Sequence, residues 1–180
     1  MAPQYHLTLE KEKERYLKHN NDVDDPRYQE FVQPIVQEVL NNFKKEQIGL
    51  DFGCGTGPVI CKLLEDRGYP VMKFDPFFHN QPNVLQKQYD FIICCEVAEH
   101  FRDPLKEFKL LKSLLKPKGI LFVLTERYSK DFDFSKWHYK SDPTHIFFYQ
   151  KRTFEWIRES LGFNSLEIKN RLAILLSSSQ

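Results

Sequence analysis

Glu96, Glu99 and His100 are the side chains of this 180-residue chain best spaced for chemistry. If Glu96 opens a helical turn, spacings of three and four put two carboxylates and an imidazole on one face. Aimed into a cleft, such a set can hold a divalent ion, and His145 can add a fourth ligand from a later loop. Mixed oxygen and nitrogen donors suit Mg²⁺ or Mn²⁺, with Fe²⁺ and Zn²⁺ also compatible. Without a metal, His100 or His145 is a candidate general base beside Glu99. An architectural alternative exists for the same residues. Acids favour a helix start, and a histidine one turn in is commonly a packed core residue.

A second constellation is Asp51-Phe52-Gly53-Cys54-Gly55-Thr56-Gly57. It lies between an apolar run (Ile48, Leu50) and a helix-like run (Val59, Ile60, Leu63, Leu64), which makes a strand–loop–helix unit. Glycines serve there because a ligand must approach the bare backbone. A dinucleotide loop has the spacing G-x-G-x-x-G; here it is G-x-G-x-G, and Pro58 takes the last glycine's place. Asp51 would repel a pyrophosphate and attract a cation. S-adenosylmethionine, with an ammonium, a sulfonium and no phosphate, fits that demand. Asp75, after the second strand, is placed to accept ribose hydroxyls. Gly53, Cys54, Gly55, Gly57 and Glu96 complete the candidate cofactor set.

These residues must be positioned by the elements around them. Charged residues 6–19 favour a helix, and Asp24-Asp25-Pro26 caps another that runs to Phe43, with Pro34 expected to kink or restart it. Helix 58–67, strand 70–74, strand 90–95, helix 104–115, strand 119–125 and helix 151–161 then alternate, before a strand pair over 165–177 broken near Asn170. Alternation implies crossovers, hence an α/β fold: a Rossmann-like, mainly parallel sheet with helices on both faces and an antiparallel C-terminal strand. Phe74 to Asp90 has little room for a strand–helix unit, so the edge after the second strand should shrink to a short strand near Val84-Leu85. Residues 1–45 read as a helical cap within the same domain as the catalytic segment 46–180. The long aromatic segment from Glu126 to Gln150 is expected to be ordered, either as a lid in which Trp137, His138, Tyr139, Phe148 and Tyr149 cover an acceptor or as a loop packed on the last helix.

With 26 basic against 25 acidic side chains, net charge gives no reason to expect a nucleic-acid or anionic-membrane partner. The apolar runs are too short to span a bilayer and the N-terminus has no apolar signal segment, so a cytoplasmic protein is expected. Cys54, Cys61, Cys94 and Cys95 contain no C-x-x-C pair and read as reduced core residues.

Taken together, these motifs resemble the class I S-adenosylmethionine-dependent methyltransferases over almost the whole chain. Asp51–Gly57 matches the family's first motif, Asp75 the acid after its second strand, Tyr89–Phe101 its fourth-strand motif, and Pro117-Lys118-Gly119-Ile120 the turn into its fifth strand. Nearer similarity is to bacterial methyltransferases of the ubiquinone-pathway O-methyltransferase type, through Phe52–Val59, Phe74-Asp75-Pro76-Phe77-Phe78 and Trp137-His138-Tyr139…Asp142-Pro143-Thr144-His145. Such relatives carry a cysteine-rich segment upstream, which the catalytic fold is expected to stand without. The E-V-x-E-H pattern with a later histidine is also similar to that of small-RNA 2′-O-methyltransferases. That likeness implies a metal at Glu96, Glu99, His100 and His145, touching the acceptor hydroxyls. The resemblance therefore implies methyl transfer to an oxygen of a small-molecule acceptor. RNA 2′-O-methylation and a non-catalytic cofactor-binding protein are the alternatives.

Overall fold

The computed structural model describes residues 1–19 and 21–179. Two helices come first, α1 (Leu9–Tyr16) and α2 (Pro26–Asn42). Strand β1 (Gly49–Phe52), helix α3 (Val59–Glu65), strand β2 (Val71–Phe74), strand β3 (Tyr89–Cys95), helix α4 (Pro104–Ser113) and strand β4 (Leu115–Leu124) follow. Helix α5 (Lys151–Leu161) and the hairpin β5 (Phe163–Lys169) and β6 (Leu172–Ser177) end the chain. The six strands form one sheet in the order β2-β1-β3-β4-β6-β5. The first four pair in parallel, and β6 runs antiparallel between β4 and β5. The expected architecture is thus the one observed.

Local chemistry explains most boundaries. Asp25 and Asp103 accept backbone N–H bonds from Arg27 (2.9 Å) and Lys106 (3.1 Å), and Pro26 and Pro104 open the helices behind them. Gly162 closes α5 in the left-handed region at φ 68°. Asn170 at φ 49° makes the β5–β6 turn. Strand residues alternate between two cores, one on each sheet face. Ile92 and Cys94 pack with Phe108 and Leu111 of α4 and Phe154 of α5. Phe91 and Ile93 pack with Val32, Ile35 and Val39 of α2 and Ile60 and Leu64 of α3.

Two expectations are corrected. Val84 and Leu85 are not in a strand: Pro82–Gln86 is a 3₁₀ turn, with Val84 buried and its carbonyl accepting the Tyr89 hydroxyl at 2.6 Å. The span between β2 and β3 is too short for a strand and its crossover, and Pro82 opens a turn there instead. Helix α2 runs through Pro34 without a break, that residue lying on its exposed face. Strand β4 also starts earlier than 119, at Leu115, through an irregular register opposite Tyr89 and Phe91. Among the described residues no helix is long and apolar enough to cross a membrane.

Candidate active site

At the carboxyl edge of the parallel strands lies a cavity of about 760 Å³. Its volume is in the range that encloses a cofactor-sized ligand. Gly53, Cys54, Gly55 and Thr56 form one wall, with Asp75, Glu96, Glu99, His100 and His145 further round.

The glycine loop is shaped by two left-handed residues, Gly53 (φ 84°) and Gly55 (φ 65°). The amides of Gly53 and Cys54 both donate to the Phe74 carbonyl, at 2.7 and 3.2 Å, tying the loop to β2. Asp75 then anchors it from the other side. One carboxylate oxygen accepts the Gly55 amide (3.1 Å) and the other the Phe77 and Phe78 amides (2.8 and 3.1 Å). The oxygen facing Gly55 keeps acceptor capacity for a ribose hydroxyl. Two expected contacts fall behind this wall. Gly57 faces the Asn21 carbonyl, 1.7 Å from where its Cβ would sit, so it is needed for packing. Asp51 is buried under the loop, its carboxylate accepting the Cys61 thiol at 3.3 Å. Neither residue lines the cavity.

Burial pushes the Asp51 carboxyl up to about 7, against the Cys61 hydrogen bond. Glu96 is pushed up to about 8 by burial and then by Glu99, with Arg171 opposing. Each acid therefore holds its proton more tightly folded than unfolded. The stability this gives is complete below the ordinary carboxylate range and is lost as pH rises through 7 to 8. Asp51→Asn should accordingly lose less stability than the parent between pH 5 and 8. The difference should be on the order of 2–4 kcal/mol, read from urea unfolding. Parallel pH curves for the two proteins would rule this out.

The chemistry-bearing cluster is smaller than its sequence pattern. Glu99, His100 and His145 each offer a ligand atom, and these atoms lie within 4.8 Å of one another. Only Ala98–His100 forms a turn, a short 3₁₀ one, and Glu96 precedes it at φ 52°. That backbone turns Glu96 away from the shared face. Its carboxylate meets Arg171 at 3.0 Å and the Tyr139 hydroxyl at 3.3 Å. Glu96 therefore lines the cavity but leaves the metal-ligand set.

Surrounding groups fix the orientation of the remaining three. The Glu99 carboxylate is fully buried and accepts hydroxyl bonds from Thr125 (2.9 Å) and Tyr139. His100 Nδ1 pairs with the Thr144 carbonyl (2.9 Å) and His145 Nδ1 with the Tyr139 carbonyl (2.6 Å). A carbonyl only accepts, so each Nδ1 carries a proton, and in the neutral ring each Nε2 keeps its lone pair. This is the tautomer a metal ligand needs, with an oriented backbone partner behind it. Burial, and next the proximity of His100, lowers the His145 pKa and keeps that ring neutral. The set fits a divalent cation. It equally fits an imidazole base.

His145 arrives because the amides of Ile146 and Phe147 donate to the Glu99 carbonyl, at 2.9 and 3.0 Å. The rest of the aromatic segment lies behind the site. Trp137 packs on Tyr128, Phe134, Tyr139 and Phe148, and Tyr149 is buried against Phe154. None of Trp137, His138, Tyr139, Phe148 and Tyr149 lines the cavity, so they support the site and do not cover it.

Cover comes from α1. Tyr16 stacks edge-on to His100 with ring centres 5.3 Å apart, and Glu12 lines the cavity beside it. Arg15 pairs with Asp142 (2.7 Å) and Arg102 with Glu12 (3.0 Å), clipping the helix down. Thr125, Tyr139 and Tyr16 carry no sequence signal for these roles, since each acts through a contact made only on folding. Cys54, expected both in the core and in the cofactor set, reaches the cavity wall, as does Cys95, expected in the core alone; no disulfide forms among the cysteines.

Comparison with known proteins follows the same lines. Residues 25–168 match a family model described as a methyltransferase domain. The ubiquinone biosynthesis O-methyltransferase of Actinobacillus pleuropneumoniae serotype 5b is 32% identical over 95 residues, covering 51% of this chain and 41% of that protein. The tRNA U34 carboxymethyltransferase of Campylobacter fetus is 29% identical over 142 residues, covering 66% of this chain and 50% of that one. The chain thus spans two fifths to one half of these relatives' length. An S-adenosylmethionine-dependent methyltransferase structure from Archaeoglobus fulgidus superposes with a TM-score of 0.61 at 22% identity, over 77% of this chain and 71% of that one. Human N-acetylserotonin methyltransferase in complex with S-adenosylmethionine does so with a TM-score of 0.59 at 16% identity, over 85% and 54%. At such identities the structures show a shared fold. The family match spans both the glycine loop and the Glu99–His100 turn, and on that ground this chain belongs to the class I S-adenosylmethionine-dependent methyltransferases.

Proposed function

We propose that this chain moves the methyl group of S-adenosylmethionine to a hydroxyl oxygen of a small molecule, with a divalent cation at Glu99, His100 and His145. The observation that carries this is a single cavity lined both by the glycine loop and by that cluster. The O-methyltransferase relative supports oxygen as the acceptor atom. The close roof of Tyr16 and Glu12 supports a small acceptor.

When bound, the cofactor supplies a methyl carbon already activated by its sulfonium, and a cation supplies a Lewis acid that lowers the pKa of a hydroxyl. The chain supplies position. Asp75 and the Gly55 peptide hold the ribose end, and the acidic wall favours the cofactor's positive charge. Glu99, His100 and His145 would hold the cation, with Thr125 and Tyr139 keeping the carboxylate aimed. Tyr16 excludes water from the reacting atoms.

A screen of hydroxylated small molecules with labelled methyl donor tests the reading, and it is repeated after chelation. Turnover should fall about 10–100-fold on chelation and return with Mg²⁺ or Mn²⁺, the imidazoles sustaining the remainder as bases. Turnover untouched by chelation would give the proton to a histidine Nε2 and remove the cation from the reading.

A further inference from the structure

We propose that Glu107 reads the purine of the cofactor: its carboxylate accepts the exocyclic amine of adenine and so selects adenine over a 6-oxo purine. This rests on the reading of the cavity as an S-adenosylmethionine site.

Six carboxylates line the cavity: Glu12, Asp75, Glu96, Glu99, Glu107 and Asp142. Five are committed to partners. Glu12 takes the Tyr16 hydroxyl and Arg102, and Asp142 takes Arg15 and Thr144. Asp75 takes three backbone amides, Glu96 takes Arg171, and Glu99 takes Thr125 and Tyr139. Glu107 has no side-chain hydrogen bond or ion pair among the described residues. It is half-buried on α4, and that burial raises its pKa, with Lys106 opposing and Asp103 adding to it. A carboxylate withdrawn from water without a donor is costly, and it can only accept. The ligand that satisfies it must bring N–H or O–H bonds.

The surroundings say which kind. Phe52 stacks on Phe74 with ring centres 5.3 Å apart and meets Phe101 edge-on at 6.3 Å. Leu85 and Leu110 pack against the same cluster, and all five residues line the cavity. Leu110 sits one turn from Glu107 on the same face of α4. No strand stands between β2 and β3 in sequence, so the wall there is left to the Pro82–Gln86 turn and to α4. The result is an apolar slot with one unpaired acceptor at its side, which suits a flat heterocycle carrying an amine. The Glu99, His100 and His145 cluster is contacted by a different group, Tyr16 and Tyr139, so the slot serves the other part of the ligand. Adenine offers an N–H donor at its 6-position; a 6-oxo purine offers an acceptor there.

Calorimetry with S-adenosylhomocysteine and S-inosylhomocysteine on the full chain tests this. The parent should bind the adenosyl compound about 10–100-fold more tightly, the range for a hydrogen bond to a charged group. Glu107→Leu should bring the ratio close to one by weakening the adenosyl compound alone. Glu107→Gln should close it from the other side, since its amide N–H can donate to a 6-oxo group. A preference that survives in both variants, or a parent with no preference, overturns the assignment while leaving the cavity's reading intact. A parent that binds neither compound overturns both.

Discussion

Glu99→Gln is expected to lower methyl transfer about 10²–10⁴-fold while cofactor affinity stays close to that of the parent. The side chain is fully buried, with one oxygen on the Thr125 hydroxyl and the other on Tyr139. Glutamine has the same shape, and both hydroxyls can rotate to accept from its amide, so the fold should tolerate the change. The negative charge is what disappears. No neighbour replaces it, because Glu96 is committed to Arg171 and lies outside the ligand-atom cluster. A cation would lose its one anionic ligand there, and an imidazolium its counter-charge. Initial rates at saturating donor, alongside calorimetry, separate the two effects. A variant that keeps a tenth of the parental rate with normal affinity would show that the chemistry lies elsewhere in the cavity.

Gly53→Ala is expected to cost about 2–4 kcal/mol of stability, combining left-handed backbone strain with overpacking. Its φ is 84°, and an added Cβ would lie 2.4 Å from a Val97 methyl. Val97 has little freedom to retreat, since it packs against the core under the loop. Gly68→Ala is the comparison: φ is also 84°, but the nearest atoms, at 3.4 Å, belong to the flexible Lys45 side chain. That variant should lose only the backbone part, about 1–2 kcal/mol. Urea unfolding of both reads the difference directly. Equal losses would mean that Val97 yields freely and that Gly53 is kept for its backbone alone.

The glycine loop was legible because ligand approach and left-handed backbone both demand glycine at Gly53 and Gly55, and no other requirement fits that spacing. Strand–helix alternation was legible for the same kind of reason, a local period. Glu96 lines the cavity with the glycine loop, but the shared metal-ligand face that helical spacing predicts fails there because its backbone is left-handed. Val84-Leu85 read as a strand because two apolar residues beside a short gap do not distinguish a strand from a 3₁₀ turn. His145 could be suspected from its residue type, but its approach to Glu99 depends on the Ile146 and Phe147 amides, a contact across the fold. Tyr139, Arg171 and Asn21 matter through partners distant in sequence, and no periodicity announces such pairings. Length and ring content alone leave the aromatic segment open between a lid and a loop packed on the last helix. Those rings have each other and the core to pack on, which drew them behind the site.

The cover that does exist, α1, buries none of its eight side chains. It is held by Arg15–Asp142, Arg102–Glu12, the contacts of Tyr16 with His100 and Phe77, and Lys13 over the Phe78 ring. Partly exposed ion pairs of this kind are worth about 0–1 kcal/mol each and weaken with salt. The helix is therefore a separate unit of stability, able to detach while both cores remain folded. Ligand release from the cavity need not disturb the sheet, and ionic strength becomes a lever on how often that cavity opens.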